Sequence, residues 1–212
     1  MELEQYKRMS AAGIDIDDQT STFIDHSSKI SSGVRILPNT IIKGDCIIES
    51  DCVIGPNTFL KDVIIASGTK VEFSHLQNSS IGQFCTIGPF ARMRQNCRLH
   101  DKVSIGNFVE LKDSEIGSGT KISHYSYVGD STVGTDVNIG AGTITCNFDG
   151  ENKHMTRIGN NAFIGSGTML IAPVSIGPGA KTGAGSVVTH DVNKGVTVVG
   201  NPAKILHNSG NL

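Results

Sequence analysis

The sequence predicts an all-β fold, a parallel β-helix of triangular section, and three observations carry that expectation. Ile or Val is followed by Gly again and again, as at Ile54, Ile87, Ile105, Ile139, Ile164 and Ile176. The aliphatic positions recur every six residues: Ile36, Ile42, Ile48, Ile54 and Leu60; Ile81, Ile87, Met93, Leu99, Ile105 and Leu111; Ile158, Ile164, Leu170, Ile176, Thr182 and Val188. The composition, with 25 Gly, no Trp and 5% aromatic residues, describes a core of Ile, Val and small side chains. A period of six suits neither a 3.6-residue helix nor two-residue strand alternation. It suits a chain that turns a corner every six residues, with one side chain per unit on the axis and three units to a coil. Each coil buries its aliphatics against the coils above and below, so no repeat folds alone, and about nine coils are expected.

The elements follow in order. "ELEQYKRMSAAG" is a helix-forming stretch that ends at Gly13, a fitting C-cap, within a lead-in of residues 1–29. The solenoid is expected over 30–200, interrupted by the polar stretch "TCNFDGENKHMTR", residues 145–157, where function is expected to protrude. In it, "DG" at Asp149 and Gly150 favours a tight turn. Residues 201–212, with the ending "HNSGNL", read as a frayed tail.

Composition excludes several function classes. A net charge of −2 gives no electrostatic reason to expect nucleic acid. No basic stretch precedes an apolar one at the N-terminus, and no apolar run approaches the ~18 residues that span a bilayer, so a cytoplasmic, membrane-free protein is expected. Cys46, Cys52, Cys85, Cys97 and Cys146 are scattered and odd in number, and read as small buried hydrophobes rather than a disulfide or zinc framework.

Two features could carry chemistry. Arg94 and Lys112 each follow an inward residue and lie 112 − 94 = 18 apart, so they stack in adjacent coils. They are either two solvated charges fanning apart or a clamp for a phosphate. From Leu111 the inward positions step by five to Ile116, then by six to Ile122 and Val128, which puts His124 in the turn leading to the face of Lys112. There it is either a structural turn residue or a general base, since a free imidazole exchanges protons near neutrality. Ser166 and Ala184, 184 − 166 = 18 apart, form a column of small side chains. Glu110 reads as a solvated face charge, and His26, His190 and His207 as surface or turn residues.

"IGPFARMRQN", "IGNFVELKDSEIGSGTKISHYSYVGD" and "VNIGAGTITCNFDGENKHMTRIG" closely resemble the acetyltransferase half of the bifunctional N-acetylglucosamine-1-phosphate uridyltransferase and glucosamine-1-phosphate acetyltransferase family, within the hexapeptide-repeat acyltransferases. The resemblance runs from about Tyr6 through Val192 and implies a left-handed β-helix assembled as a homotrimer. It implies that His124 is the catalytic base, that Arg94, Lys112, Tyr127 and Asn138 hold a sugar phosphate, and that Lys153 reaches a phosphate across the trimer interface. Ala141, Asn147, Phe148, Ser166 and Ala184 match the family's acetyl-coenzyme A positions, and a narrow pantetheine arm needs the slot that Ser166 and Ala184 leave. The reaction implied is direct transfer from acetyl-coenzyme A to the 2-amino group of glucosamine 1-phosphate, for UDP-N-acetylglucosamine and hence peptidoglycan. No metal is required. A backbone N–H between Gly140 and Asn147 is expected to meet the oxyanion.

The chain departs from that pattern in three places. Phe148 stands where the family usually has Tyr, "GNPAKIL" lacks the family's late arginine so that Lys204 is expected to take its place at the coenzyme, and no uridyltransferase half precedes the helix, so no uridyltransferase activity is expected. Rival readings are an acetyltransferase for another amino sugar or nucleotide sugar, and a non-catalytic scaffold. A carbonic anhydrase of the same solenoid type needs converging histidines, whereas His75, His100, His124 and His154 are each more than twenty residues from the next.

Overall fold

Each coil closes because three short strands are separated by corners at which one residue turns the chain. The computed structural model describes residues 2–206. The strands stack into three faces around one axis. The first face is a twelve-stranded sheet that starts at Asp15–Ile16; its last strand, Lys204–Ile205, is antiparallel, so 12 − 1 = 11 parallel strands span ten turns. The other two faces form a fifteen-stranded sheet, joined because several strands, such as Glu110–Ile116 and Tyr127–Val133, bend through the corner between them.

Those bends have a simple cause. Where the inward step is five residues, as from Leu111 to Ile116 or Val128 to Val133, there is no spare turn residue, and a single residue in the left-handed region makes the corner: Asp113 with φ 46° and Asp130 with φ 47°. Asn and Asp tolerate that conformation better than other side chains with a Cβ. These two carboxylates are therefore placed by the fold, next to Lys112.

The inward residues are those of the six-residue pattern. Ile36, Ile54, Ile87, Ile105 and Ile122 on the first face, and Leu60, Met93, Leu111 and Val128 on the second, are at most 2% exposed. Parallel registers such as Ile87 with Ile105 and Met93 with Leu111 stack like on like. Full burial of each contributes about 1.5–3 kcal/mol. Four of the five cysteines are buried in this core, and Cys146 alone is half-buried.

The structure differs from the sequence reading at the repeat's edges. Pairing begins at Asp15, well before residue 30, because Ile16 and Ile24 are also inward although eight residues apart. The stretch "DDQTST" widens that first corner. In the insertion, Thr145 and not Ile144 takes the inward place; its hydroxyl is buried against Gly129, accepting the N–H at 2.8 Å and donating to the carbonyl at 3.1 Å. The helix Leu3–Ala11 ends as expected, with Gly13 at φ 81°. Its Met9 and Gln5 close the first coil, Gln5 Nε2 donating to the Ile24 carbonyl at 2.8 Å. His207 and the ending "HNSGNL" lie outside the described residues.

Close approach of coils fixes one glycine above others for function. A Cβ at Gly106 would lie 1.9 Å from the carbonyl oxygen of Ser123, the residue before His124. Gly106→Ala is therefore expected to push that coil aside. Overpacking of this kind costs about 1–3 kcal/mol. The thermal midpoint should fall by roughly 2–4 °C per kcal/mol, which a melting curve reads directly. An unchanged midpoint would mean that the coils are not held at this spacing.

Candidate active site

The corner between the first and second faces changes character halfway along the solenoid. In the lower coils it carries Phe73, Phe90, Phe108 and Tyr125, all with positive φ; Phe90 and Phe108 stack at 5.4 Å with their planes 7° apart. In the upper coils the same position is Gly142, Gly167 and Gly185. A Cβ at Gly185 would meet nothing within 4 Å, so the upper corner is a bare, open edge. The column beside it reads Asn107, His124, Ala141, Ser166 and Ala184 from bottom to top, as the registers Asn107 with His124, Ile122 with Ile139, Ile139 with Ile164 and Ile164 with Thr182 require. The predicted stacking of Ser166 and Ala184 is thus present, and Ala141 and His124 continue the same line.

His124 is exposed at the boundary between the aromatic and bare halves. Its Nδ1 is 2.7 Å from Asn107 Oδ1, and no described group engages Nε2. Its carbonyl accepts from Ser126 Oγ at 2.9 Å, which ties the turn to the next strand. Directly above it, the N–H of Ala141 donates to nothing among the described residues, and the same holds for Ser166 and Ala184. A base with a free nitrogen therefore adjoins a slot lined by small side chains and unspent donors.

The second face holds the cations. Met93 pairs in register with Leu111, so Arg94 and Lys112 stack as predicted. The side chain of Lys112 is only 7% exposed, and its Nζ is 2.8 Å from Asp113 Oδ2. Arg94 Nη1 is 3.2 Å from Glu110 Oε1, which corrects the reading of Glu110 as a solvated charge: it is the partner of Arg94. The carboxylates also show that the stacked cations need no phosphate to be tolerable. Asp113 and Glu110 already balance them, so stacking alone does not decide between the two sequence readings.

Lys153 lies beside Lys112 of its own chain, where the sequence reading sends it to a neighbouring copy. The hydrogen bond to Asp113 holds the Lys112 ammonium well above the usual lysine range, while Lys112 in turn pushes Lys153 down. Lys153 reaches this place because the hairpin is rigid. Phe148 bridges Lys153 antiparallel, and His154 N–H donates to the Asn147 carbonyl at 2.8 Å. Asp149 caps the turn through the Glu151 and Asn152 N–H groups at 2.8 and 2.7 Å, and its other oxygen is 2.6 Å from His154 Nε2. The capping N–H of Asn152 and the His154 bond hold its carboxyl far below the usual range.

Tyr127 opens the strand Tyr127–Val133 that follows His124, in register with Glu110. Its ring lies over Gly129, where a Cβ would come within 2.4 Å of the hydroxyl. Asn147 is buried at the far edge of the second face, its amide donating to Asp130 and, more weakly, to the Tyr127 hydroxyl at 3.5 Å. Asn138 lies on the first face, between Lys121 and Phe163, around the corner from Arg94 and Lys112. Lys204 sits at the top end opposite Val199. The residues matched to the coenzyme therefore fall into two groups. Ala141, Ser166 and Ala184 share one edge of the second face, and Asn147 and Phe148 occupy the other.

Sequence reasoning missed Asn107, Asp113 and Asp130. Asn107 was findable: it precedes His124 by 124 − 107 = 17, one coil shortened by the step of five at Leu111. Among the described residues no group of three or more His, Cys, Asp or Glu side chains converges as a metal site would, and no helix is long and apolar enough to cross a membrane.

Comparison with known families agrees with this architecture. The bacterial transferase hexapeptide (six repeats) model matches residues 155–190, and the GMPPB C-terminal domain model matches residues 19–105. The bifunctional protein GlmU of Syntrophomonas wolfei is 48% identical over 186 residues, which is 88% of this chain and 41% of that protein. GlmU of Desulfitobacterium hafniense is 51% identical over 180 residues, 85% of this chain and 40% of that protein. GlmU of Acinetobacter baumannii is 47% identical over 190 residues, 89% of this chain and 42% of that protein. The chain thus spans about two-fifths of the length of the curated relatives it matches. With its six-residue period, its solenoid and its level of identity to these proteins, the chain belongs to the bacterial hexapeptide-repeat proteins and is similar, over most of its own length, to about two-fifths of the GlmU proteins.

Proposed function

We propose that the chain transfers the acetyl group of acetyl-coenzyme A to the 2-amino group of glucosamine 1-phosphate, in the cytoplasm and toward UDP-N-acetylglucosamine. The observation that carries this is the single column in which His124, with Nε2 free, stands beneath Ala141, Ser166 and Ala184. A thin acyl-carrying arm fits the bare edge, and its thioester would come to rest where a base and the unspent N–H of Ala141 meet. His124 Nε2 takes the proton as the amine attacks the carbonyl carbon, the C–S bond breaks, and the thiolate leaves. The Ala141 N–H is the backbone donor best placed for the oxyanion. Binding both substrates along one edge supplies proximity as a separate contribution.

Arg94, Lys112 and Lys153 give the acceptor end its charge. They favour a phosphorylated sugar over a neutral one, with Tyr127 between phosphate and base. Asn138, around the corner, would reach the acceptor from the first face, and Lys204 at the top end would meet the coenzyme's phosphates.

The split of the coenzyme set supports a homotrimer. One copy offers Ala141, Ser166 and Ala184 at one edge and Asn147 and Phe148 at the other, so the two groups meet on one coenzyme only across a head-to-tail interface. Such an interface closes into a ring when its rotation does, and a three-sided solenoid suits a threefold ring. The chain's own Lys153 already serves its own Lys112, so the hairpin would supply the neighbour with Asn147 and Phe148 rather than with a lysine.

The test is coenzyme A release with glucosamine 1-phosphate as acceptor, beside glucosamine, glucosamine 6-phosphate and a UDP-amino sugar. Turnover is expected with the 1-phosphate at a kcat/KM at least tenfold above the others. A better rate with the UDP-amino sugar would transfer the assignment to a nucleotide-sugar acetyltransferase, and no turnover with any acceptor would leave a scaffold.

A further inference from the structure

Among the described residues the exposed imidazole of His124 has one side-chain partner, and that partner is uncharged. Asn107 occupies the same corner position one coil below, paired in register, with Oδ1 2.7 Å from Nδ1. Both residues are fixed from behind. The Asn107 carbonyl accepts from the Tyr125 N–H at 2.9 Å, and the His124 carbonyl accepts from Ser126 Oγ. We infer that Asn107 is a positioning residue that holds His124 in the Nδ1–H tautomer, its amide oxygen accepting the Nδ1 proton so that Nε2 presents a lone pair to the acceptor amine.

The inference rests on the reading of His124 as the base, but its geometry is independent of any substrate. A neutral imidazole carries one proton, and the hydrogen bond at one nitrogen decides which nitrogen is free. Were the amide nitrogen of Asn107 to donate to Nδ1 instead, the proton would sit on Nε2 and that nitrogen could not accept another.

The choice of an amide over a carboxylate has a chemical consequence. A carboxylate beside Nδ1 would stabilise the imidazolium and keep the base protonated to higher pH. Asn107 orients the ring without adding that charge. The charged groups facing this corner do not replace it. Lys121 lies outward on the strand of His124, Arg92 and Arg94 lie on the adjoining face, Glu110 is taken up by Arg94, and Lys112 is taken up by Asp113. No carboxylate is ion-paired to His124 among the described residues.

The test uses the full chain and reads the ring directly. In 15N-edited spectra of histidine-labelled protein, with the His124 signals assigned by their loss in His124→Ala, the wild type is expected to show neutral imidazole protonated at Nδ1. Asn107→Ala should lose that preference and lower kcat by about 10- to 100-fold, with both KM values within about twofold. Asn107→Asp should restore the Nδ1–H tautomer and recover part of kcat, while moving the acidic limb of the kcat/KM profile up by about one pH unit. A wild-type ring protonated at Nε2 overturns the inference, as does an Asn107→Ala enzyme with wild-type kcat and pH profile. Retention of full activity by His124→Ala would instead overturn the base itself, and the spectra would still report the tautomer. Should Asn107→Ala fail to fold, the wild-type spectrum and the Asn107→Asp profile decide.

Discussion

His124→Ala is expected to lower kcat for acetyl transfer by about two to four orders of magnitude, the range general base catalysis contributes. At 1.36 kcal/mol per decade this is about 3–5 kcal/mol of barrier. The KM values for both substrates should move by no more than a few-fold, because the imidazole is exposed and its one side-chain partner among the described residues is Asn107. The fold should be untouched for the same reason, and a melting curve confirms that the loss is chemical. Steady-state thiol release by wild type and variant measures both quantities. A variant that keeps more than about a tenth of the wild-type kcat would mean that the amine arrives already deprotonated and that the corner only aligns the substrates.

How much of this was legible depends on what the six-residue period encodes. It encodes register, so the stacking of Arg94 on Lys112 and of Ser166 on Ala184 follows from counting, and the coordinates agree. It does not encode side-chain reach. In register, Glu110 lies opposite Arg92, yet its carboxylate is engaged by Arg94, two residues on, because a guanidinium on a long stem can cross that gap. The period also hides whatever shortens it. The step of five at Leu111 makes a coil of seventeen, and a search at eighteen passes over Asn107. The same short step puts Asp113 at the corner in a left-handed conformation, where its carboxylate meets Lys112. Finally, an aliphatic pattern passes over the inward threonine at 145, and so does not separate the edge that carries Asn147 from the edge that carries Ala141. The division between two edges of the residues matched to the coenzyme, which supports the proposed assembly, is visible in the coordinates alone for that reason.

Lys112→Met is expected to raise the KM for glucosamine 1-phosphate by about 10- to 150-fold, since a hydrogen bond to a charged group is worth about 1.5–3 kcal/mol, and to leave the weak reaction with unphosphorylated glucosamine unchanged. Methionine keeps the stem that fills this buried position, so the comparison isolates the ammonium. A stability effect of about 1 kcal/mol should accompany it, the discounted worth of a partly solvated pair. Its pH dependence follows from Asp113, whose carboxyl is held low by the hydrogen bond from Lys112. A depressed folded value means that the pair's contribution is complete above the ordinary carboxylate range and is lost as pH falls through the folded value of Asp113. Wild type and variant should therefore differ in stability at pH 7 and converge once the pH has fallen below the ordinary carboxylate range. Removing Lys112 also frees Lys153 from the ammonium that pushes it down. Lys153 then becomes a better cation and recovers part of the phosphate binding, so Lys112→Met and Lys153→Met should combine to more than the sum of their separate losses in binding free energy. Simple additivity in KM would show that the two lysines act on different groups of the substrate. An unchanged KM for the 1-phosphate in Lys112→Met would remove the phosphate from this face altogether.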